Sequence, residues 1–216
     1  LSYGAADQIV IVPTPDLLLA YPDLFVPLNG RSVTGTNSAD IIDDSFVSAD
    51  GTVIDDLGQV IDAGRGNDTI YAGLGNDTIT AGLGDDTIVY SGGDDVITGD
   101  LSNRGNDTLD LSQYAATDVT FGITGDDVTI STPGGLITLQ DQTTTNTNRT
   151  NIETIVFSDG TLATNADVIV RALQDQSTAG NDTITGTGHV DVIDGGLGND
   201  TITGGNKNDI LTGGGG

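Results

Sequence analysis

The stretch Ala63–Thr98 reads AGRGNDTIY, AGLGNDTIT, AGLGDDTIV and YSGGDDVIT, four nine-residue units without a gap. Asp68, Asp77, Asp86 and Asp95 recur every nine residues, and Ile70, Ile79, Ile88 and Ile97 follow two places behind them. The unit is G-G-x-G-x-D-x-U-x, with U a large apolar residue. A fixed short period means one structural unit stacked on copies of itself. Glycine opens backbone conformations closed to other residues. Asn67, Asn76, Asp85 and Asp94, at the fifth place, also tolerate left-handed geometry. The closing triplets, such as Thr69-Ile70-Tyr71, are β-formers with one apolar side chain turned inward. Six residues of turn and three of strand make half a coil, so two units predict a coil of eighteen residues. Successive coils then stack as parallel strands about 4.8 Å apart.

Stacking sets each Asp beside the Asp two units later. Carboxylates so close repel, and a cation between them relieves the repulsion. Carboxylate and main-chain carbonyl oxygens together are a hard donor set, suited to Ca²⁺ with its 6–8 oxygens and flexible geometry, whereas Mg²⁺ demands a compact octahedron. A metal-free glycine-rich β-solenoid is the alternative, and it leaves the Asp ladder unexplained. The units resemble the calcium-binding repeats of the RTX (repeats-in-toxin) family. That resemblance implies a parallel β-roll with Ca²⁺ between adjacent turns.

A second array returns near the end. AGNDTIT, GTGHVDVID, GGLGNDTIT and GGNKNDILT place Asp182, Asp191, Asp200 and Asp209 nine apart, with Ile184, Ile193, Ile202 and Leu211 in the core place. The predicted fold is all-β: two parallel β-roll arrays separated by a β-rich insert. The candidate metal carboxylates are Asp68, Asp77, Asp86, Asp95, Asp107, Asp182, Asp191, Asp200 and Asp209. The candidate turn glycines beside them are Gly64, Gly66, Gly73, Gly75, Gly82, Gly84, Gly93, Gly186, Gly188, Gly196, Gly198 and Gly205. The register predicts the pairs Asp68–Asp86, Asp77–Asp95, Asp182–Asp200 and Asp191–Asp209. Lys207 sits inside the last turn and should weaken its site.

Composition agrees with this reading. Net charge is −26, and the single Glu, Glu153, stands against 31 Asp. Asp is the shorter acid and suits turns and metal loops. Such a balance argues against nucleic acid, which needs a basic footprint, and against insertion in or adsorption to an anionic membrane. Cysteine is absent, which excludes disulfides and thiolate metal sites. Nine aromatics make a large conventional core unexpected. No apolar run reaches transmembrane length. The start at Leu1 lacks a signal-peptide pattern, and the two ends read as those of a fragment of a longer chain.

Residues 1–30 carry Pro13, Pro15, Pro22 and Pro27 and read as an extended linker or cap. Residues 31–107 form the first array. Its start, 31–62, is degenerate, with Asp40 and Ile42 in the ligand and core places. Asp50-Gly51-Thr52-Val53 and Gln59-Val60-Ile61 read as worn units, and Gln59 keeps an oxygen without the charge. The period slips by three residues at 99–104, and Asp107 restores it.

In 108–178, alternation predicts strands at Leu109–Leu111, Val119–Ile123, Asp127–Ile130, Leu136–Leu139 and Glu153–Phe157. It also predicts a helix at Asn165–Leu173 capped by Asn165, and a mobile polar loop at 141–150. The stretch Asn151–Leu162 is similar to segments that flank RTX arrays. The insert should cap the first array or widen its sheet. Residues 179–216 form the second array.

Bland readings win elsewhere. Asn-Asp-Thr recurs because the repeat recurs, not as a glycosylation signal. Gly204-Gly205-Asn206-Lys207 lacks the Ser or Thr of a phosphate loop. His189 has no partner for nucleophilic or His-metal chemistry and reads as a surface turn residue. One Glu excludes a Glu-pair hydrolase, and no catalytic residue is assigned.

The expected function is Ca²⁺ binding coupled to folding. Each site adds RT ln(1 + [Ca²⁺]/Kd), about 1.4 kcal/mol at ten times Kd. The resemblance implies a secreted bacterial protein, exported by type I secretion and folding outside the cell. The parent remains open among a secreted enzyme with this module as an appendage, a large adhesin, and a surface-layer protein. A polysaccharide or other surface partner is conceivable, but the sequence names none.

Overall fold

The structure, a computed structural model, describes residues 32–98, 105–143 and 152–216. The expectations for 1–30, for the slip at 99–104 and for most of the 141–150 loop fall outside these residues. Strands form where a β-branched residue flanks the core residue: β1 (Ser32–Thr34), β2 (Ile41–Ile42), β3 (Val60–Asp62), β4 (Thr69–Tyr71), β5 (Thr78–Thr80), β6 (Thr87–Val89), β7 (Asp95–Thr98) and β8 (Asp107–Leu111). Odd strands lie in one sheet as β1-β3-β5-β7, even strands in the other as β8-β6-β4-β2, all parallel. Ile70 faces Ile88 and Ile79 faces Ile97, the eighteen-residue register of a β-roll. Each strand sends its middle side chain inward, so Ile42, Ile61, Ile70, Ile79, Ile88 and Leu109 stack into a fully buried column. Parallel strands buried this way read as apolar core positions between turns.

Glycine is required where turns stack. A Cβ at Gly84, whose φ is +141°, would collide with the Gly66 carbonyl of the coil below. The close approach that brings the turns together is possible only without that carbon.

The degenerate start departs from the expected register. Ile42 pairs with Ile70, and Val33 with Ile61, across 28 residues rather than 18. Residues 43–58 carry the extra ten. Asp50 and Gly51 are not a worn unit but a turn, in which Ser48 N–H donates to Thr52 O and Val47 bridges Val53 antiparallel. Gln59 does take a ladder position, because Val60–Asp62 is a coil strand.

The insert widens both sheets of the first array. β9 (Thr120–Thr124), β10 (Asp127–Thr132) and β11 (Gly135–Leu139) extend the odd sheet, with β11 parallel to β7. β12 (Ile152–Phe157) and β13 (Leu162–Thr164) extend the even sheet, with β12 parallel to β8. Phe121, Ile137, Leu139, Ile155 and Phe157 join the isoleucine column in one continuous core, larger than nine aromatics led us to expect.

Helix α1 spans Asn165–Gln176, three residues beyond the expected end. Its cap is Thr164, not Asn165. Thr164 Oγ1 accepts from Asp167 N–H, and the Asp167 carboxylate accepts from Thr164 N–H, closing a capping box. Asn165 instead pairs its side chain with Gln142. Gln142 and Thr143 are buried, so the start of the expected mobile loop is packed: Gln142 exchanges two hydrogen bonds with Ile152.

In the second array β14 (Thr183–Thr185) pairs with β16 (Thr201–Thr203), and β15 (Val192–Asp194) with β17 (Ile210–Thr212), again parallel and eighteen apart. Ile169 and Leu173 of α1 cover one end of its core at Ile184 and Ile193.

Candidate metal-binding ladders

The turns between strands place the ligand-position side chains in columns. On the even side the column runs Asp40, Asp68, Asp86, Asp107. Each carboxylate after Asp40 reaches back to the turn before it. Asp68 Oδ1 accepts the Asp40 N–H at 2.7 Å, Asp86 Oδ1 the Asp68 N–H at 2.8 Å, and Asp107 Oδ1 the Asp86 N–H at 3.0 Å. On the odd side Asp77 Oδ1 accepts from Gln59 N–H at 2.7 Å, and Asp95 Oδ1 from Asp77 N–H at 2.9 Å. In the second array Asp200 accepts from Asp182 N–H at 3.0 Å, and Asp209 from Asp191 N–H at 3.1 Å. The four pairs predicted by register are brought together.

Asp68, Asp77, Asp86, Asp95, Asp107 and Asp191 are buried, while Asp182, Asp200 and Asp209 are half-buried. Only one oxygen of each inner carboxylate is used by the backbone. The Oδ2 atoms of Asp68, Asp77, Asp86 and Asp200 are buried and have no hydrogen-bond partner. A buried carboxylate oxygen without a donor is costly. A cation is the natural partner for it.

Burial pushes these carboxyls up. Asp77 rises to about 7, mainly by desolvation, with the Asp95 charge adding to it and the Gln59 N–H opposing. Asp107 also rises to about 7, with Asp86 and Glu153 adding to desolvation. Asp86 and Asp95 rise to about 6, and Asp68 moves the same way, all led by burial. Without a cation the column thus holds its protons toward neutral pH.

The turn glycines lie alongside. Gly64, Gly66, Gly73, Gly82, Gly84, Gly93, Gly196, Gly198 and Gly205 have left-handed φ. A Cβ at Gly75 or Gly186 would collide with the carbonyl of Leu57 or Gly204. Gly188 is half-buried and precedes His189. The turn carbonyls are not all free: Gly64 O accepts from Leu83 N–H, and Gly196 O from Gly215 N–H, which leaves one lone pair on each. Among the described residues no three His, Cys, Asp or Glu side chains converge as a metal cluster. A cation in these ladders must therefore complete its shell with main-chain oxygen, and the donor set on offer is all oxygen, as Ca²⁺ requires.

Three features were missed by the sequence reading. Glu153 takes the next rung: its Oε2 accepts the Asp107 N–H at 2.6 Å, across 46 residues. A second ladder runs the opposite way at the fifth place. Asn67 Oδ1 accepts from Asp85 N–H, Asn76 Oδ1 from Asp94 N–H, and Asn181 Oδ1 from Asn199 N–H, each in the following coil. The recurrence of Asn or Asp at that place was its signal. His189 is half-buried rather than a surface residue, with Nδ1 buried and unpartnered beside α1. Lys207 holds a left-handed φ of +80° where other turns have glycine.

The parallel roll and its carboxylate columns define a calcium-binding repeat module. The family model for the RTX calcium-binding nonapeptide repeat matches residues 56–88, 176–202 and 195–216, in four copies. Residues 56–88 and 176–216 thus carry RTX-type calcium-binding repeats, and several such repeats imply several Ca²⁺ ions. No curated protein matches it. Among the described residues no helix is long and apolar enough to cross a membrane.

Proposed function

We propose that this chain is a calcium-loaded folding module of a protein that is exported and folds outside the cell. The carboxylates of Asp68, Asp77, Asp86, Asp95, Asp107, Asp200 and Asp209 hold the ions, with carbonyl oxygens of the glycine turns completing each shell. Residues 31–107 and 179–216 are the loading rolls, and 108–178 is the cap between them. The module carries no catalysis of its own and offers no basic surface to nucleic acid. The observation that carries this reading is the set of buried, unpartnered Oδ2 atoms on Asp68, Asp77, Asp86 and Asp200.

The extracellular setting has separate support. RTX repeats typically occur in secreted proteins, and a cysteine-free chain of net charge −26 is stabilised by divalent metal rather than by disulfides. Extracellular modules bind Ca²⁺ at about 10⁻⁴–10⁻³ M. Far below that concentration the binding term vanishes and the chain stays unfolded for export.

Calorimetry with Ca²⁺ on two variants tests the ligand assignment. Asp77→Ala should bind fewer ions than the wild type. Asp118→Ala, on an exposed residue outside both arrays, should bind the same number. Equal stoichiometry for Asp77→Ala and wild type would remove Asp77 from the site.

A further inference from the structure

Three of the four ladders open on a carboxylate, and the opening carboxylate is dressed differently from those that follow; the fourth opens on Gln59. Asp40, Asp182 and Asp191 each open a column, and a threonine stands four residues before each of them. Thr36 N–H donates to Asp40 Oδ2 at 2.6 Å and its hydroxyl to Oδ1 at 3.1 Å. Thr178 does the same to Asp182 at 2.7 and 2.9 Å. Thr187 does so to Asp191 at 2.6 and 3.0 Å. Both oxygens of each opening carboxylate are thereby taken by donors from its own turn.

One rung later that position is glycine. Gly64 precedes Asp68, Gly196 precedes Asp200 and Gly205 precedes Asp209, all with φ between +82° and +94°. Asp68 and Asp200 keep Oδ2 buried and without a partner. Direction explains the contrast. Each later carboxylate reaches back toward the preceding turn, whereas among the described residues Asp40, Asp182 and Asp191 accept no main-chain N–H from a preceding coil. The threonine N–H and hydroxyl take the place of those missing donors. A turn so closed has its charge met by hydrogens, and among the described residues no preceding turn offers carbonyls on that side for a cation needing 6–8 oxygens.

We propose that Thr36, Thr178 and Thr187 close the first carboxylate of the three ladders that open on Asp against cation, so that Ca²⁺ occupancy in those ladders begins at the second rung. Asp68, Asp200 and Asp209 then carry the first ions, and Asp182 and Asp191 carry none. The inference rests on reading the ladders as Ca²⁺ sites and decides which carboxylates take part. The threonine turn is a metal-independent starting template on which the next coil is loaded. Metal filling therefore has a direction, away from the threonine end.

The test counts bound Ca²⁺ by equilibrium dialysis on the full chain at saturation. Asp182→Asn with Asp191→Asn should bind as many ions as wild type, and Asp200→Asn should bind one fewer. A lower count for the Asp182/Asp191 variant overturns the proposal. An unchanged count for Asp200→Asn overturns the ladder reading itself, so the two failures are distinct. The pair Thr178→Val with Thr187→Val removes only the hydroxyls. It should keep the ion count and raise the Ca²⁺ midpoint of folding severalfold, since the loss of two hydrogen bonds to charged groups is shared over the ions that bind on folding. The corresponding serine pair should restore the midpoint. A valine pair that loses ions, or whose midpoint does not move, also refutes the clasp.

Discussion

The two arrays carry the same nine-residue unit and reach different degrees of burial. In the first, Ile70, Ile79 and Ile88 are at most 1% exposed. In the second, Ile184 and Ile193 are buried, but Ile202 is half-buried and Leu211 is 47% exposed. The difference comes from neighbours. β11 and β12 stack on the last coil of the first array and continue both of its sheets. Leu139, Ile155 and Phe157 continue its core. The second array is covered by α1 at one end, while among the described residues β16 and β17 pair along one edge only. In a stacked repeat, stability is a sum of unit and interface terms. Similar units therefore sit in unequal surroundings among the described residues, and the array with fewer interfaces there depends more heavily on its metal.

Truncation of the core should expose this inequality most strongly. Ile88→Ala opens a cavity in a filled column and should cost about 2–5 kcal/mol. Leu211→Ala removes a side chain half in water and should cost less than about 1 kcal/mol, within the range of surface changes. Denaturant melts in saturating Ca²⁺ compare the two. Similar losses would mean that Leu211 is covered in solution.

The next effect is pH. Asp77 and Asp107 are held at about 7 and Asp86 and Asp95 at about 6 in the folded, metal-free column, against an ordinary value of 3.8. The folded chain then binds more protons than the unfolded chain between about pH 4 and 7, so stability falls as pH rises through that window. In chelator, the first array should gain β-structure on acidification from pH 8 to 5. Ca²⁺ needs the ionised carboxylates, so its folding midpoint should fall as pH rises from 5.5 to 7.5. Circular dichroism titrations at several pH values read both slopes. A midpoint that stays constant would contradict the buried ladder.

The smallest effect concerns the helix that covers the second array. Thr164→Ala removes the hydroxyl of the capping box and should cost about 1 kcal/mol. Asn165→Ala leaves the cap intact and breaks the Gln142 pairing instead. Thermal melts of the two in Ca²⁺, with the second-array signal resolved by hydrogen exchange, separate cap from tether. Loosening of the second array by Asn165→Ala alone would return the cap to Asn165.

The repeat register, the carboxylate pairs and the metal class were legible because each is written as a period, and a period survives without tertiary information. Features outside the period were not. Residues 43–58 leave the coil and return, and nothing in their spacing tells Asp50 in a turn from Asp40 in a ladder. Glu153 becomes a rung only because β12 docks beside β8. Its distance of 46 residues from Asp107 belongs to no repeat. Thr and Asn are both residue types that cap helices, and the deciding signal was Asp167, three places after Thr164 and so at the position a capping box requires. The alternation of Thr and Gly four places before Asp was also in plain view. Its meaning depends on which turns have a predecessor, which only the stacked coils reveal.

Hydrogen exchange on the full chain at pH 8, in chelator and then in millimolar Ca²⁺, tests the account most directly. Peptides covering Thr69–Val89 and those covering Thr183–Thr212 should exchange fast in chelator. Both should become protected on adding Ca²⁺, with the second array requiring the higher concentration. Protection of both arrays in chelator, unchanged by Ca²⁺, would contradict it.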